Sequence, residues 1–267
     1  MAKPLLLRLL PPLLRQSAYC RLYQNQHARW RSLYETAPLA LCPRIAMHGL
    51  IPGDIISGHI AFNGFYEWPL SQAIAKLARG GGLLVDVGAN MGYFSLLWAG
   101  LHPRGRAIAF EAAPRNIRLI QNNIAQNRLS GQISLVPKAA GRRQGETCFT
   151  LGPDEQTGWG GIAASPAENT ATVPLTRLDQ ELPDAMIDVL KIDVEGADTW
   201  VLQGCEALLR QKRIDKIFFE QNTIRMKALG IAEGEALEFL NSLGYACVSF
   251  NHEKTEWLAY PQRTHRL

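Results

Sequence analysis

From residue 71 onward, short apolar runs alternate with segments in which apolar residues recur every three or four positions. Short branched apolar runs are typical of buried parallel strands, and the longer spacing is typical of amphipathic helices. This alternation predicts an α/β fold with a mostly parallel sheet and helices on both faces. The predicted strands are 83–87, 106–111, 132–137, 147–151, 171–175, 187–192, 214–220, 245–250 and 256–260. The predicted helices are 71–78, 92–100, 114–127, 197–211 and 233–243.

The first 60 residues lack this alternation and predict an extension, helical or partly disordered, ahead of a domain that covers residues 61–267. The apolar run 5–14 contains Arg8 and two prolines and is shorter than the roughly 20 residues that span a bilayer. We expect a helical extension packed on the domain as a lid or an interface. The alternatives are a transit peptide and a segment that lies on a membrane surface or on a partner subunit. Residues 1–34 contain no acidic residue but carry Lys3, Arg8, Arg15, Arg21, Arg29 and Arg31.

A glycine turn, residues 88–92 (GANMG), follows the predicted strand 83–87. Ligands of open α/β sheets bind at the carboxyl ends of strands, so this turn predicts a nucleotide-type site. A dinucleotide fingerprint requires a glycine where Asn90 stands, and a side chain there would hinder a pyrophosphate. Asp86 suits a ligand with an ammonium group, which S-adenosylmethionine carries beside its sulfonium. S-adenosylmethionine is therefore the predicted cofactor, and a nicotinamide-dependent oxidoreductase is the alternative enzyme class.

Charged residues also lie at the ends of other predicted strands. Glu111 ends the strand after the glycine turn, at the spacing of an acid that binds ribose hydroxyls. Lys191, Asp193 and Glu195 cluster at the end of a central apolar strand, and Glu220 ends the next one. Three charged groups within five residues are costly unless they are solvated, paired or liganded. We therefore favour a functional site over a simple ion pair and helix cap.

Methyl transfer to a hydroxyl requires a base that removes the acceptor's proton as it attacks. Asp193 is the predicted base, with Glu195 and Glu220 as further catalytic candidates and Lys191 as an alternative. The three acids could instead hold Mg²⁺, which prefers oxygen ligands, but we expect no metal. A Gly88→Val substitution is expected to abolish cofactor binding and leave the fold largely intact.

Five segments occur in order between about residue 64 and residue 250: VDVGANMGYFS, FEAAPRNIRLIQNNIAQN, LTRLDQ, IDVLKIDVEGADTWVLQG and IFFEQN. Together they resemble the FkbM-type family of S-adenosylmethionine-dependent methyltransferases. The resemblance implies a seven-stranded, Rossmann-like class I methyltransferase sheet whose last strand is antiparallel. It also implies O-methylation of a hydroxyl on a sugar, polyketide or related small molecule. By the same resemblance, Glu111 binds ribose and Asp193 lies beside the transferred methyl group.

The cofactor-binding residues predicted from spacing and resemblance are Glu67, Asp86, Gly88, Ala89, Asn90, Gly92, Tyr93, Phe94, Glu111, Ala112 and Asp193. Glu67 belongs to a segment, residues 64–67, that resembles a family segment before the first strand. Its role is either packing over the sheet edge or covering the cofactor. Lys138 stands where many methyltransferases have an acid after the third strand, so adenine recognition is expected from backbone groups or apolar stacking.

The composition of the chain indicates which classes of partner to expect. The net charge of +4 is mild and the basic residues are spread along the chain, so no nucleic-acid partner is predicted. The five cysteines are far apart without metal-ligand spacing, which predicts reduced thiols and a cytoplasmic protein. The predicted partner is a small-molecule or glycan acceptor with a free hydroxyl, and the chain could form a homo-oligomer.

The sequence gives less information about the acceptor site than about the cofactor site. The glycine-rich loop 152–166 contains Trp159 and predicts either a lid over the acceptor or a surface hairpin. A cofactor-binding scaffold with a dead acceptor site is the non-enzyme alternative.

Overall fold

The computed structural model describes residues 3–153 and 155–262. Its strands are β1 (Thr36–Leu39), β2 (Cys42–His48), β3 (Gly82–Val87), β4 (Gly105–Phe110), β5 (Ile133–Val136), β6 (Ala139–Ala140), β7 (Gly145–Thr150), β8 (Gly161–Ile162), β9 (Thr170–Thr176), β10 (Ile187–Ile192), β11 (Ile214–Glu220), β12 (Tyr245–Ser249) and β13 (Glu256–Pro261). Its helices are α1 (Leu5–Leu9), α2 (Pro12–Leu22), α3 (Ile55–Asn63), α4 (Trp68–Ala78), α5 (Tyr93–Leu101), α6 (Pro114–Gln126), α7 (Leu178–Glu181), α8 (Asp198–Gln203), α9 (Glu206–Arg210), α10 (Thr223–Ala228) and α11 (Glu235–Ser242), with a short 3-10 helix at Arg31–Leu33.

A seven-stranded sheet with the order β12-β13-β11-β10-β3-β4-β5 forms the centre of the fold. Strand β13 is antiparallel to both of its neighbours, while β11, β10, β3, β4 and β5 pair in parallel. The predicted mostly parallel sheet with an antiparallel last strand is confirmed.

Both faces of this sheet are covered, as the apolar character of its strands requires. Leu84 and Val189 pack into the core that includes α4 and α5, whereas their neighbours Val85 and Leu190 pack into the core beneath α8, α9 and α11. Successive strand residues point to opposite faces, so a strand covered on both sides is apolar at nearly every position.

The N-terminal segment was predicted to be a helical or partly disordered extension, but it also contains an antiparallel hairpin, β1–β2. Its alternating residues Ile45 and Met47 are buried in the same core as α5. The backbone edge of β2 is bound by two side-chain amides, one within α6 and one directly after it. Asn127, which follows α6, exchanges hydrogen bonds of 2.9 and 2.7 Å with Ala46, and Asn123 exchanges bonds of 2.7 and 3.2 Å with His48. The domain boundary near residue 60 stays a prediction.

Two further elements differ from the sequence prediction. The helix expected at 197–211 is broken into α8 and α9 because the chain turns at Gly204, where a Cβ atom would lie 2.0 Å from the carbonyl oxygen of Gly141. The strands β7 and β9 were predicted correctly, but they belong to a separate sheet with the order β6-β9-β7-β8. All five cysteines are free thiols.

Candidate active site

A cavity of about 310 Å³ opens at the carboxyl ends of β3, β4, β10 and β11. Most of the predicted site residues lie on its wall: Glu67, Gly88, Ala89, Asn90, Tyr93, Phe94, Glu111, Ala112, Asp193, Glu195 and Glu220. Gly88 and Glu220, which are 132 positions apart in the chain, meet there because parallel strands end at the same edge of a sheet.

Asp86 and Gly92 were predicted to bind the cofactor, but the structure places both behind the wall rather than on it. The Asp86 carboxylate is fully buried and accepts hydrogen bonds from the amide and hydroxyl of Ser95 at 3.2 and 2.7 Å. Gly92, with φ +86°, starts helix α5. Asp86 therefore fixes the first turn of α5, and any influence on a ligand is electrostatic.

Backbone hydrogen bonds hold the glycine turn to the end of β4. The amides of Gly88 and Ala89 both donate to the carbonyl oxygen of Phe110 at 3.0 Å. A Cβ atom on Gly88, which has φ +76°, would lie 1.9 Å from the carbonyl oxygen of Asp193. The expectation that Gly88→Val leaves the fold intact is therefore wrong, because the added side chain meets the neighbouring strand end rather than open ligand space.

The Glu111 carboxylate also organises this turn. It accepts hydrogen bonds from the amides of Asn90, Ala112 and Ala113 at 2.8, 2.9 and 2.8 Å. Burial raises the pKa of Glu111 to about 7, although these amides favour the charged form. The carboxylate thus holds the turns after β3 and β4 together at the point where it borders the cavity.

A buried lysine, Lys191, also lines the cavity. The Lys191 ammonium is 3.1 Å from the Asp193 carboxylate and 3.9 Å from that of Asp86, and it lies 5.1 Å from the centre of the Phe94 ring. Burial disfavours its charged form, but the carboxylates of Asp193, Asp86 and Glu67 hold the pKa of Lys191 above its ordinary value. A lysine held in its charged form is a counter-ion, so the alternative of Lys191 as the base loses support.

Asp193 stands at the centre of a wider group of acids, which we call the acid cluster: Glu67, Asp193, Asp198, Glu220 and Glu256. The pKa values of the other four carboxyls are raised mainly by burial, and the charge of Asp193 is the second cause. The pKa values reach about 7 for Glu67 and Asp198 and about 8 for Glu220. Carboxyl groups so close together cannot all ionise at neutral pH, and perturbation of this kind is typical of functional sites.

Two members of the acid cluster also shape the strand ends. The buried Asp198 accepts hydrogen bonds from the amides of Glu220 and Val194 at 3.1 and 3.4 Å, which ties the end of β11 to the end of β10. Glu220 lies directly opposite Glu256 in the β11–β13 register. Glu195, by contrast, is paired with Arg225 at 3.1 Å.

The unliganded protein is expected to lose stability as the pH rises from about 5 to about 8. Glu67, Glu111, Asp198 and Glu220 have raised pKa values in the folded state, whereas the same groups ionise near pH 4 in the unfolded chain. In that window the folded protein binds more protons than the unfolded chain, so the free energy of unfolding falls with pH. Urea denaturation at steps across this range measures the slope, and a constant or rising free energy would contradict the assignment.

Sequence reasoning did not identify several residues of the cavity wall. Tyr66, Phe218, Phe250 and Trp257 place aromatic side chains near the acid cluster. The rings of Phe218 and Phe250 meet edge to face with centres 5.3 Å apart. Phe218 could have been found, because it lies two residues before Glu220 on the same face of β11. Phe250 and Trp257 reach the site only through the pairing of β13 with β11.

The glycine-rich loop also lines the cavity with Gly158, Gly160, Gly161 and Ile162. It is anchored by the buried Asp54, which accepts hydrogen bonds from the amide and hydroxyl of Thr157 at 2.7 and 3.0 Å. The Trp159 side chain is half exposed and is not part of the wall. The loop therefore covers the cavity with backbone and small residues, and one residue within it, Asp154, lies outside the described part of the chain.

Within residues 3–153 and 155–262, no group of three or more His, Cys, Asp or Glu side chains is arranged to hold a metal ion.

A seven-stranded sheet of this order, with a cavity at its carboxyl edge and acids after β4 and β10, defines a class I methyltransferase fold. The chain belongs to the family of the methyltransferase FkbM domain, whose family model matches residues 86–247. That range begins at β3 and extends into β12, so it includes the glycine turn, Glu111, Asp193 and Glu220.

Two curated relatives are methyltransferases from fungi. Methyltransferase 1 of Beauveria bassiana (strain ARSEF 2860) is 27% identical in an alignment of 145 residues that covers 46% of this chain and 58% of that protein. Methyltransferase sdnD of Sordaria araneosa is 29% identical in an alignment of 163 residues that covers 46% of this chain and 60% of that protein. The matched part thus spans less than two thirds of either relative. A solved FkbM methyltransferase structure from Methylobacillus flagellatus KT aligns with 89% of this chain and 60% of its own, at 13% identity and a TM-score of 0.48.

Proposed function

We propose that the protein is an S-adenosylmethionine-dependent O-methyltransferase that acts on a hydroxyl of a small molecule or glycan. The observation that carries this proposal is a single cavity whose wall includes both Glu111 and the acids around Asp193. The first suits a ribose and the others suit a reacting hydroxyl. The family assignment favours methyl transfer over the nicotinamide-dependent alternative.

The residues on the wall fit this cofactor. Asn90 and Asn116 line the cavity, and their side-chain oxygens are buried without a hydrogen-bond partner among the described residues. The Asn116 amide nitrogen already donates to the carbonyl oxygen of Thr157 at 3.1 Å, so its oxygen is left to accept from a ligand. Because an unpaired buried oxygen costs free energy, a ligand with donor groups is favoured there. Glu111 would accept from ribose hydroxyls, and Ala112, Ala139 and Phe149 offer an apolar surface for a base.

When bound, S-adenosylmethionine supplies a methyl group on a sulfonium, which is a good leaving group. The protein's task is then to align the acceptor, to exclude water and to accept a proton. Alignment of this kind can supply roughly 7–11 kcal/mol. Asp193 is the proposed base, and Glu220, with a pKa near 8, is the second candidate because a base is most efficient near the working pH. The aromatic side chains of Tyr66, Phe218 and Trp257 offer flat faces to a sugar or macrocycle ring.

Two measurements test the proposal in order. Calorimetric titration with S-adenosylhomocysteine and with NAD⁺ separates the two cofactor classes, and we expect binding of the first alone. A methyl-transfer screen of hydroxylated acceptors with labelled S-adenosylmethionine then tests the activity. Binding of NAD⁺ alone would overturn the cofactor assignment, and cofactor binding without transfer to any acceptor would favour the inactive scaffold.

Glu111→Gln is expected to weaken S-adenosylhomocysteine binding by about 10- to 100-fold, since one charge-assisted hydrogen bond contributes roughly 1.5–3 kcal/mol. The substitution keeps the shape and one carbonyl oxygen, which limits damage to the turn. Calorimetric titration measures the change. Glu146→Gln, on the exposed part of β7, is the matched control and should bind normally. An unchanged dissociation constant for a folded Glu111→Gln protein would rule out the ribose assignment.

A further inference from the structure

Helices α1 and α2 present a row of leucines to solvent. We call the set the leucine surface: Leu5, Leu6, Leu9, Leu13, Leu14 and Leu22. Their exposed fractions lie between 42% and 74%. In the described part of the chain the other large exposed apolar side chains are scattered singly, so six within 18 consecutive residues are unusual. Exposed apolar side chains concentrated in one short segment are typical of an interaction site.

The opposite side of these helices is attached firmly to the domain. Leu7 and Tyr19 are buried, and the Tyr19 ring lies 5.0 Å from the rings of both His59 and Phe62. The Arg15 guanidinium donates to the carbonyl oxygens of Leu10 and Asn63 at 3.1 and 3.3 Å. The leucine surface is therefore held facing outward and cannot fold back into this core.

The charged side chains of the N-terminal segment that carries the leucine surface are all basic. Arg8, Arg21, Arg29 and Arg31 are exposed in the same N-terminal segment. Residues 1–34 contain no Asp or Glu, although the whole chain has 24. An apolar face with basic residues and no acidic ones is complementary to an anionic, partly apolar partner.

We propose that the leucine surface binds the surface of a lipid bilayer that contains anionic lipids. The leucines enter the boundary between headgroups and acyl chains, and the arginines contact the anionic headgroups. The attachment is peripheral, since no helix in the described ranges is long and apolar enough to cross a membrane. A second copy of the chain fits less well, because pairing two such faces would bring arginines together without an acidic partner. This proposal is independent of the proposed function.

The position of the leucine surface relates membrane attachment to the candidate active site. Helix α2 packs on α3, and Ile56 of α3 lines the cavity. A membrane bound at the leucine surface would thus lie one helix layer from the candidate active site, where it could concentrate an acceptor carried in the membrane.

The test is co-sedimentation of the full chain with vesicles of phosphatidylcholine alone or with about one third phosphatidylserine. We expect binding to the anionic vesicles to be at least about tenfold stronger and to weaken as salt is raised from about 0.1 M to about 0.5 M. Leu9→Glu combined with Leu13→Glu should reduce binding by about tenfold or more. The matched control is Met186→Glu with Ile224→Glu, two exposed apolar residues elsewhere, and should bind as the unmodified chain does.

A second pair of variants tests the charge. Arg8→Gln with Arg21→Gln should reduce binding to the anionic vesicles only, whereas Arg79→Gln with Arg143→Gln should have little effect. Circular dichroism melting confirms that each variant is folded. The proposal is overturned if the unmodified chain does not bind anionic vesicles at low salt, or if the variant with Leu9→Glu and Leu13→Glu binds them as well as the unmodified chain. If the unmodified chain does not bind vesicles but forms a dimer in light scattering, and this variant is monomeric, the leucine surface serves self-association instead.

Discussion

Asp193→Asn is expected to reduce turnover by about 10²-fold or more while the affinity for S-adenosylhomocysteine changes much less. The substitution keeps the shape of the side chain but removes its charge and most of its basicity, and a lost general base costs about 10²–10⁴-fold. Asp193 is also the charge that most raises the carboxyl pKa values around it. Steady-state kinetics with an acceptor found in the screen measure the loss, and titration calorimetry measures the affinity.

Glu220→Gln is the matched comparison, because it neutralises a second carboxyl on the same wall. If Glu220 is the base, the rate of the unmodified enzyme should rise with pH up to about 8 and the Gln variant should lose that rise. Near-normal turnover of Asp193→Asn would move the assignment to Glu220 or Glu195. Loss of activity with a chelator, restored by Mg²⁺, would instead indicate a metal role for these acids.

Lys191→Met is expected to lower the free energy of unfolding by about 3–5 kcal/mol, because removing one partner of a buried ion pair leaves an uncompensated charge. The side chain of Lys191 is 5% exposed and that of Asp86 is fully buried, so the substitution takes a cation away from a buried carboxylate. Chemical denaturation measures the loss. Lys76→Met, an exposed substitution on α4, is the control and should change stability by no more than about 0.5 kcal/mol.

A double variant separates the ion pair from simple packing. Adding Asp86→Asn to Lys191→Met removes both buried charges, so it should restore part of the lost stability. If Lys191→Met alone is as stable as the unmodified protein, the acids around Lys191 carry protons in the native state and need no counter-ion.

Much of the site was predictable because its main residues sit at strand ends. The strand that ends at Val87, the one before Glu111 and the one before Asp193 are each visible as short apolar runs. A parallel sheet brings the carboxyl ends of such strands to one edge, so the three positions converge without further information. The placement of Glu111, Asp193 and Glu220 on one cavity wall agrees with this expectation.

Other features depended on contacts that no local pattern encodes. Asp86 and Gly92 have the spacing of ligand-binding residues, yet the hydrogen bonds of Asp86 to Ser95 turn that carboxylate toward α5. Gly88 was expected to leave space for a ligand, but its open side faces the backbone of Asp193 on the adjacent strand. The predicted helix 197–211 breaks where Gly204 meets Gly141, and these two residues are 63 positions apart.

The sequence by itself determined the α/β class, the central strands, the turn after β3 and the acids that follow β4, β10 and β11. Those properties follow from periodicity and from residue types at strand ends, which are local. Only the tertiary structure decided that Lys191 lies between Asp86 and Asp193, that Glu256 pairs with Glu220, and that the N-terminal helices expose leucines. These depend on the register of distant strands and on which helix face the core already covers, so they arise only when the whole chain has packed.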